Sequence, residues 1–331
     1  MTAHFHFPLL KEGGLFKLSQ ERKNKKNKQK KQKILFAVIA CLSVVALVMV
    51  TVAVASVVSS KNVQRFDENV TDTSSVEEKT SYEIEKLSVP LDDLEVQIND
   101  IISDVQKQVG GDWSVYVTIP KTGDSMSINN KKLQAASVIK LFIMCTFYED
   151  YDALKKEYKD VYDIDELMSD MIILSDNDAA DALVRMIGHG DSIEGRKKIN
   201  EFCKKYGFND TNMDRLMRED NVVNDNFTTV EDTGKLLQMI YEGRFPHTSD
   251  MMNYMEHQDR KHKLPAGVPE NVRTANKTGE LEDCQNDACI VFTKYPYIIV
   301  VMVDDVYDYQ IPIDAIADIS TAAYNYIAPK L

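Results

Sequence analysis

Ser137 and Lys140 stand three residues apart at the mouth of an apolar stretch, residues 138–144. On a helix, positions i and i+3 share a face, so the Lys140 ammonium can fold back within hydrogen-bond reach of the Ser137 hydroxyl. That pairing has a chemical use. A free hydroxyl is a poor nucleophile near neutral pH, and an adjacent amine whose pKa is lowered by burial or a neighbouring cation can take its proton. The flanking side chains Val138, Ile139, Leu141, Phe142, Ile143 and Met144 are apolar nearly all round, as in a buried helix, where a lysine must be paired or at work. By itself, Ser-x-x-Lys also fits a lysine on a solvated face. Two further short motifs follow: Ser175-Asp176-Asn177 where a helical pattern breaks, and Lys277-Thr278-Gly279 on a strand-like stretch. Ser-Asp-Asn alone also reads as a helix-capping turn.

Taken together and in this order, the three motifs resemble those of the class A β-lactamases and penicillin-binding proteins. The resemblance runs over residues 91–331, including the terminal helix, the first hairpin and the closing strands. It implies that Ser137 attacks an amide or β-lactam carbonyl, with Lys140 as proton acceptor or as the field that lowers the hydroxyl's pKa. Ser175 would pass a proton towards the leaving nitrogen, and Asn177 would hold Lys140 and donate to a substrate carbonyl. Lys277, Thr278 and Gly279 would bind the carboxylate that penicillins and D-alanyl peptides share. The oxyanion hole would be the backbone N–H groups of Ser137 and Glu280, whose donation strengthens as charge develops on oxygen. A second Lys-Thr-Gly, at Lys121, Thr122 and Gly123, lies upstream in a hairpin turn and reads as structural.

The loop that carries the deacylating glutamate in these β-lactamases departs from the pattern. Residues 207–215, from Gly207 through Thr211 to Asp214 and Arg215, match its lead-in, but Met217 stands where the glutamate belongs, with Asn221 at the place of the following asparagine. A competing register with three inserted residues reads Arg218-Glu219-Asp220 followed by Asn224, and offers Asp220 as the deacylation base. The loop also reaches Thr228-Thr229 early, residues 141–174 form a short connection, and no arginine follows Gly279 to reinforce carboxylate binding. These departures put efficient hydrolysis in doubt and leave acylation intact.

Elements that could position these residues follow from periodicity. Leu91, Leu94, Ile98, Ile101, Ile102 and Val105 recur at helical spacing, and Gly110-Gly111 ends the helix. Residues 113–119 and 125–129 read as a hairpin. After the Ser137 helix, 150–165 reads as charged and irregular, 166–174 as helix, 175–178 as a break, and 179–187 and 196–206 as helices. Residues 211–229 lack periodicity, the mark of a functional or pinned loop. Further helices are expected at 233–241 and 249–258, strands at 274–277, 288–293 and 297–303, and a closing helix at 311–326. This order implies an α/β (α+β) fold of the β-lactamase/transpeptidase kind: a five-stranded antiparallel sheet built from both ends of the chain, flanked by helices, with an inserted helical lobe.

Charge divides the 331-residue chain. Residues 1–33 carry ten Lys or Arg against two Glu, so a net +8 here leaves −21 for the rest of a chain whose total is −13. Residues 34–58 are uncharged and long enough to cross a hydrocarbon core of about 30 Å as a retained helix. The basic block then reads as a topology determinant and not as a nucleic-acid arm, with 1–33 cytoplasmic and the remainder extracytoplasmic. Residues 59–89, rich in Ser, Thr, Glu and Asp, read as a linker, and 90–331 as the catalytic domain. Cys41 and Cys145 read as small apolar residues, while Cys284 and Cys289 are near enough in sequence for a bridge. No Cys/His spacing suggests a metal, and no cofactor is called for. The expectation is a membrane-anchored, extracytoplasmic serine hydrolase with a monomeric ectodomain, acting on β-lactams. Alternatives are a D-alanyl-D-alanine peptidase acting on peptidoglycan peptides, and a non-catalytic binding or sensing module on the same fold.

Overall fold

Five strands pair in the order β2-β1-β7-β6-β5, every neighbour antiparallel: β1 Gly110–Ile119, β2 Asp124–Ile128, β5 Thr274–Glu280, β6 Gln285–Val291 and β7 Tyr297–Val306. A minor ribbon pairs β3 Leu133–Gln134 with β4 Phe227–Thr228. The computed structural model describes residues 88–220 and 223–330. The expected basic segment, the span at 34–58 and nearly all of the linker lie outside the described residues. Among the described residues no helix is long and apolar enough to cross a membrane.

The sheet is buried on both faces, which is why β7 reads as an unbroken apolar run. Successive side chains of a strand point to opposite faces. Ile299, Val301 and Val303 therefore pack with Val115 and Val117 against helices α1 Asp92–Val109 and α9 Gln310–Ile327. Ile298, Val300 and Met302 pack with Tyr116, Ala288 and Ile290 under the helical lobe. On α1 the acids Asp92, Asp93 and Glu95 occupy the first turn, where the helix dipole favours them, and Leu94, Ile98, Ile102, Val105 and Val109 form the buried stripe. Each such side chain contributes about 1.5–3 kcal/mol on burial. Gly110 then takes φ 70°, a conformation that ends the helix without a Cβ penalty.

The lobe is built on α2 Ile139–Glu149, whose side chains from Ile139 to Tyr148 are all buried. Around it lie α3 Tyr151–Tyr158, α4 Ile164–Ser169, α5 Asn177–Ile187, α6 Ser192–Tyr206, α7 Val230–Tyr241 and α8 Thr248–Glu256. Asp163, Asp176, Asp191 and Thr229 cap α4, α5, α6 and α7 by accepting backbone N–H bonds. Gly207 closes α6 in the left-handed conformation.

Several expectations needed correction. Residues 150–165 are not irregular: they contain α3, which buries only Leu154 and so shows little apolar pattern. Residues 166–174 are not one helix, since α4 stops at Ser169 and a π-helical turn, Asp170–Leu174, follows. β5 and β6 extend further towards each other than hydropathy suggested, because Thr278, Gln285, Asn286 and Asp287 are buried although polar. Cys284 and Cys289 are not bridged; they and Cys145 and Cys203 are free, buried thiols. Burial pushes the thiol pKa of all four upwards, that of Cys203 to about 12.

Candidate active site

Ser137 sits in a single 3-10 turn, Ala136–Val138, between β3 and α2. Its neighbours are pinned from three sides. The Gln134 N–H donates to Asp304 Oδ2 at 2.6 Å, Asn286 Nδ2 donates to Gln134 O at 2.8 Å, and the Ala135 N–H donates to Asn226 O at 2.8 Å. This bracing holds Ala136 at φ 45°, a left-handed conformation that costs a non-glycine residue about 1–3 kcal/mol. Ser137 itself remains partly exposed.

β5 is a free edge of the sheet. The Leu281 N–H donates to Cys284 O across the β5–β6 turn at 3.0 Å, so ladder alternation turns the backbone groups of Asn276, Thr278 and Glu280 away from β6. Gly279 lets this edge close on the Ser137 turn. A Cβ there would lie 2.8 Å from Ala135 O and 3.2 Å from the Ser137 nitrogen. The Ser137 and Glu280 N–H groups are thereby brought to neighbouring positions, and Thr278 Oγ1 is buried with no hydrogen-bond partner among the described residues.

The two lysines converge on Ser175, and not on Ser137. Lys140 is fully buried; its Nζ donates to Ser175 O at 2.7 Å, Asn177 Oδ1 at 2.7 Å and Ser175 Oγ at 3.3 Å. The expected Lys140–Ser137 hydrogen bond is absent among the described residues, because these three acceptors use the ammonium's three donors. Lys277, also fully buried, donates to the same Ser175 Oγ at 2.8 Å and to Thr278 O at 2.8 Å. Ser175 can reach both because it adopts φ 59°, ψ 36° where the π-helical turn ends. Burial, the largest effect, lowers the Lys140 pKa to about 7, with Asp176 opposing and Arg260 assisting. Burial pushes Lys277 well down, reinforced by the charges of Lys140 and Arg260.

The loop that begins at Arg215 is locked at its base. Arg215 Nε and Asp225 Oδ1 form a buried ion pair at 2.8 Å, and breaking such a pair costs about 3–5 kcal/mol. Asp181, one turn beyond Asn177 on α5, accepts the Met217 N–H at 2.6 Å and the Arg218 N–H at 3.1 Å. Met217 is therefore held against the helix that carries Asn177, with its side chain packed on the lobe core. Asp220 is exposed, and Asn221 lies outside the described residues.

Two cations escaped the motif reading. Arg260 approaches Glu280 Oε2 at 3.8 Å and adds its field to both Lys140 and Lys277. Lys263, fully buried, donates to Gly279 O at 3.3 Å and pairs with Glu280 Oε1 at 3.1 Å. The only signal in the sequence is the dense run of basic residues at 260–263.

A sequence model described as the beta-lactamase enzyme family matches residues 93–160 and 152–327. No curated protein sequence matches. Among solved structures, PBP-A superposes with a TM-score of 0.64 at 21% identity, over 73% of this chain and 98% of that one. A β-lactamase from Sphaerobacter thermophilus gives 0.59 at 23%, over 69% and 95%. One from Xanthomonas campestris pv. campestris gives 0.61 at 17%, over 72% and 100%. At these identities the likeness is one of fold.

Proposed function

This chain belongs to the beta-lactamase enzyme family, and from that premise we propose that it is a serine hydrolase of the class A type that forms an acyl-enzyme at Ser137. The observation that carries this reading is the Ser175 hydroxyl held by both Lys140 and Lys277, at 3.3 and 2.8 Å, with Lys140 one helical turn after a partly exposed Ser137. A lysine with a pKa of about 7 is neutral in a large fraction of molecules at neutral pH; the neutral amine has one donor fewer, gives up one of its three present contacts and can turn the freed lone pair to the Ser137 proton. In this reading Ser175 hands a proton on to the leaving nitrogen. The Ser137 and Glu280 N–H groups stabilise the tetrahedral oxyanion. Thr278 Oγ1, Lys277 and Arg260 receive the substrate carboxylate, which β-lactams and D-alanyl peptides both carry.

Met217 favours a second outcome at the same site. The backbone that should present a carboxylate to the deacylating water presents a thioether, and general-base assistance is worth about 10²–10⁴-fold. The acyl-enzyme then lingers, as suits a D-alanyl peptidase or penicillin-binding protein better than an efficient β-lactamase. We place the domain outside the cell membrane, tethered by residues 34–58, on the strength of the lysine-rich segment before an uncharged run of 25.

A fluorescent penicillin tests the chemistry. Wild-type protein should be labelled covalently and Ser137→Ala should not, while its fold is retained; equal labelling of both would end the acyl-enzyme reading. Slow loss of label points to the peptidase, rapid loss to the β-lactamase. Resistance to alkaline carbonate extraction, with digestion of the domain by external protease, tests the anchor; recovery in the soluble cytoplasm would overturn it.

A further inference from the structure

The π-helical turn Asp170–Leu174 ends immediately before Ser175 and its Lys140–Ser175–Lys277 junction, and something must satisfy the carbonyls that a helix terminus leaves open. The segment after α8 does so. Gln258, 2% exposed, donates from Nε2 to Ile172 O at 2.6 Å, and the Asp259 N–H donates to Ile173 O at 3.2 Å. The same Gln258 accepts the Arg260 N–H on Oε1 at 3.0 Å, and Asn276 Nδ2 of β5 donates to Arg260 O at 3.1 Å. The Arg260 N–H can only donate, so the orientation of the Gln258 amide is settled by its partners. One buried side chain thus ties the turn that ends at Ser175 to the segment that carries Arg260, and through Arg260 to β5, the strand of Lys277.

We propose that Gln258 is a positioning residue for acyl transfer, setting where the Ser175 hydroxyl and the Arg260 charge stand relative to Lys140 and Lys277; the proposal rests on the acyl-enzyme reading above. Ser175 takes its left-handed conformation where this turn ends, and the turn is anchored sideways by the 258–259 segment. Reacting groups misplaced by about 1 Å can cost 10²-fold in rate. Losing the tie should therefore slow chemistry much more than it weakens substrate binding.

Two variants test this. Gln258→Met keeps the length and loses both hydrogen bonds. Its acylation rate constant with a chromogenic β-lactam should fall about 10- to 10²-fold, with the apparent dissociation constant changed only a few-fold. Gln258→Glu keeps the acceptor for Arg260 but sets a carboxylate against Ile172 O. Its rate relative to wild type should be low at alkaline pH and recover as the pH falls, because a protonated carboxyl donates as the amide does. A ¹³C-NMR titration of Lys140 in the same samples needs no turnover. Displacing Arg260 in Gln258→Met should move the Lys140 pKa upwards from wild type. If wild type fails to acylate, the acylation reading falls, and the NMR titration alone decides whether Gln258 positions the site. A folded Gln258→Met that acylates within twofold of wild type with an unmoved Lys140 overturns the proposal. So does a loss in both variants that follows melting temperature, with a pH-independent Glu-to-wild-type ratio.

Discussion

Gly279→Ala is the sharpest perturbation of the site that leaves every reacting group in place. The new Cβ would sit 2.8 Å from Ala135 O, 3.2 Å from Ala136 Cβ and 3.2 Å from the Ser137 nitrogen, while ordinary contact begins at 3.4 Å. Two of the three are backbone atoms, which cannot rotate away. The nucleophile turn is pinned from behind by Asn286 and Asp304, so relief must come from parting β5 and the turn by about 0.6 Å. That opens the gap between the Ser137 and Glu280 N–H groups. Scaling the 10²-fold cost of a 1 Å misplacement gives a loss of about fifteenfold in the acylation rate constant, and complete loss of one donor would set a ceiling near 10²–10³-fold. Overpacking should cost about 1–3 kcal/mol, a fall of several degrees in melting temperature for a domain of this size. Stopped-flow acylation with a chromogenic β-lactam reads the rate. A folded Gly279→Ala enzyme acylating within twofold of wild type would refute the reasoning, since the oxyanion donors would then not depend on this approach.

Met217→Glu should speed release of the acyl group, up to the 10²–10⁴-fold of general-base assistance, and leave acylation nearly unchanged; single-turnover label release measures it. Should Asp220→Asn instead destroy steady turnover in the wild-type background, the inserted register is right and Met217 is a bystander. Acylation should fall tenfold per pH unit below the Lys140 pKa of about 7 and level off above it, because only the neutral amine accepts a proton. The same depression has a sign for stability. Between about pH 7 and 10.5 the unfolded chain binds a proton at Lys140 that the folded protein does not, so stability rises with pH by at most 1.36 kcal/mol per unit. Urea titrations of wild type and Lys140→Met across that window should differ in slope accordingly, and parallel slopes would contradict the buried, neutral lysine.

The sequence alone determined which motifs are present and the broad order of elements. Ser137, Lys140, Ser175, Asn177, Lys277, Thr278 and Gly279 are recognisable because short motifs depend on local spacing, and the apolar periods of α1, α9 and β7 announce burial directly. Local pattern failed where polar groups are buried by partners distant in sequence. Gln285, Asn286 and Asp287 fall outside the strands expected from the sequence yet lie in a sheet interior, and the basic run at 260–263 gave no hint that Lys263 is fully buried under Glu280. That Asn177 holds Lys140 was already implied by the motif resemblance; tertiary structure alone decided that Ser175 is the lysine's other partner in place of Ser137, since an acceptor 35 residues away competes better than a hydroxyl one turn back. It also placed Met217 against α5, through the carboxylate of Asp181, and brought Arg260 to the lysines. Spacing along a helix states which groups can meet. Burial and the full set of competing donors and acceptors determine which do.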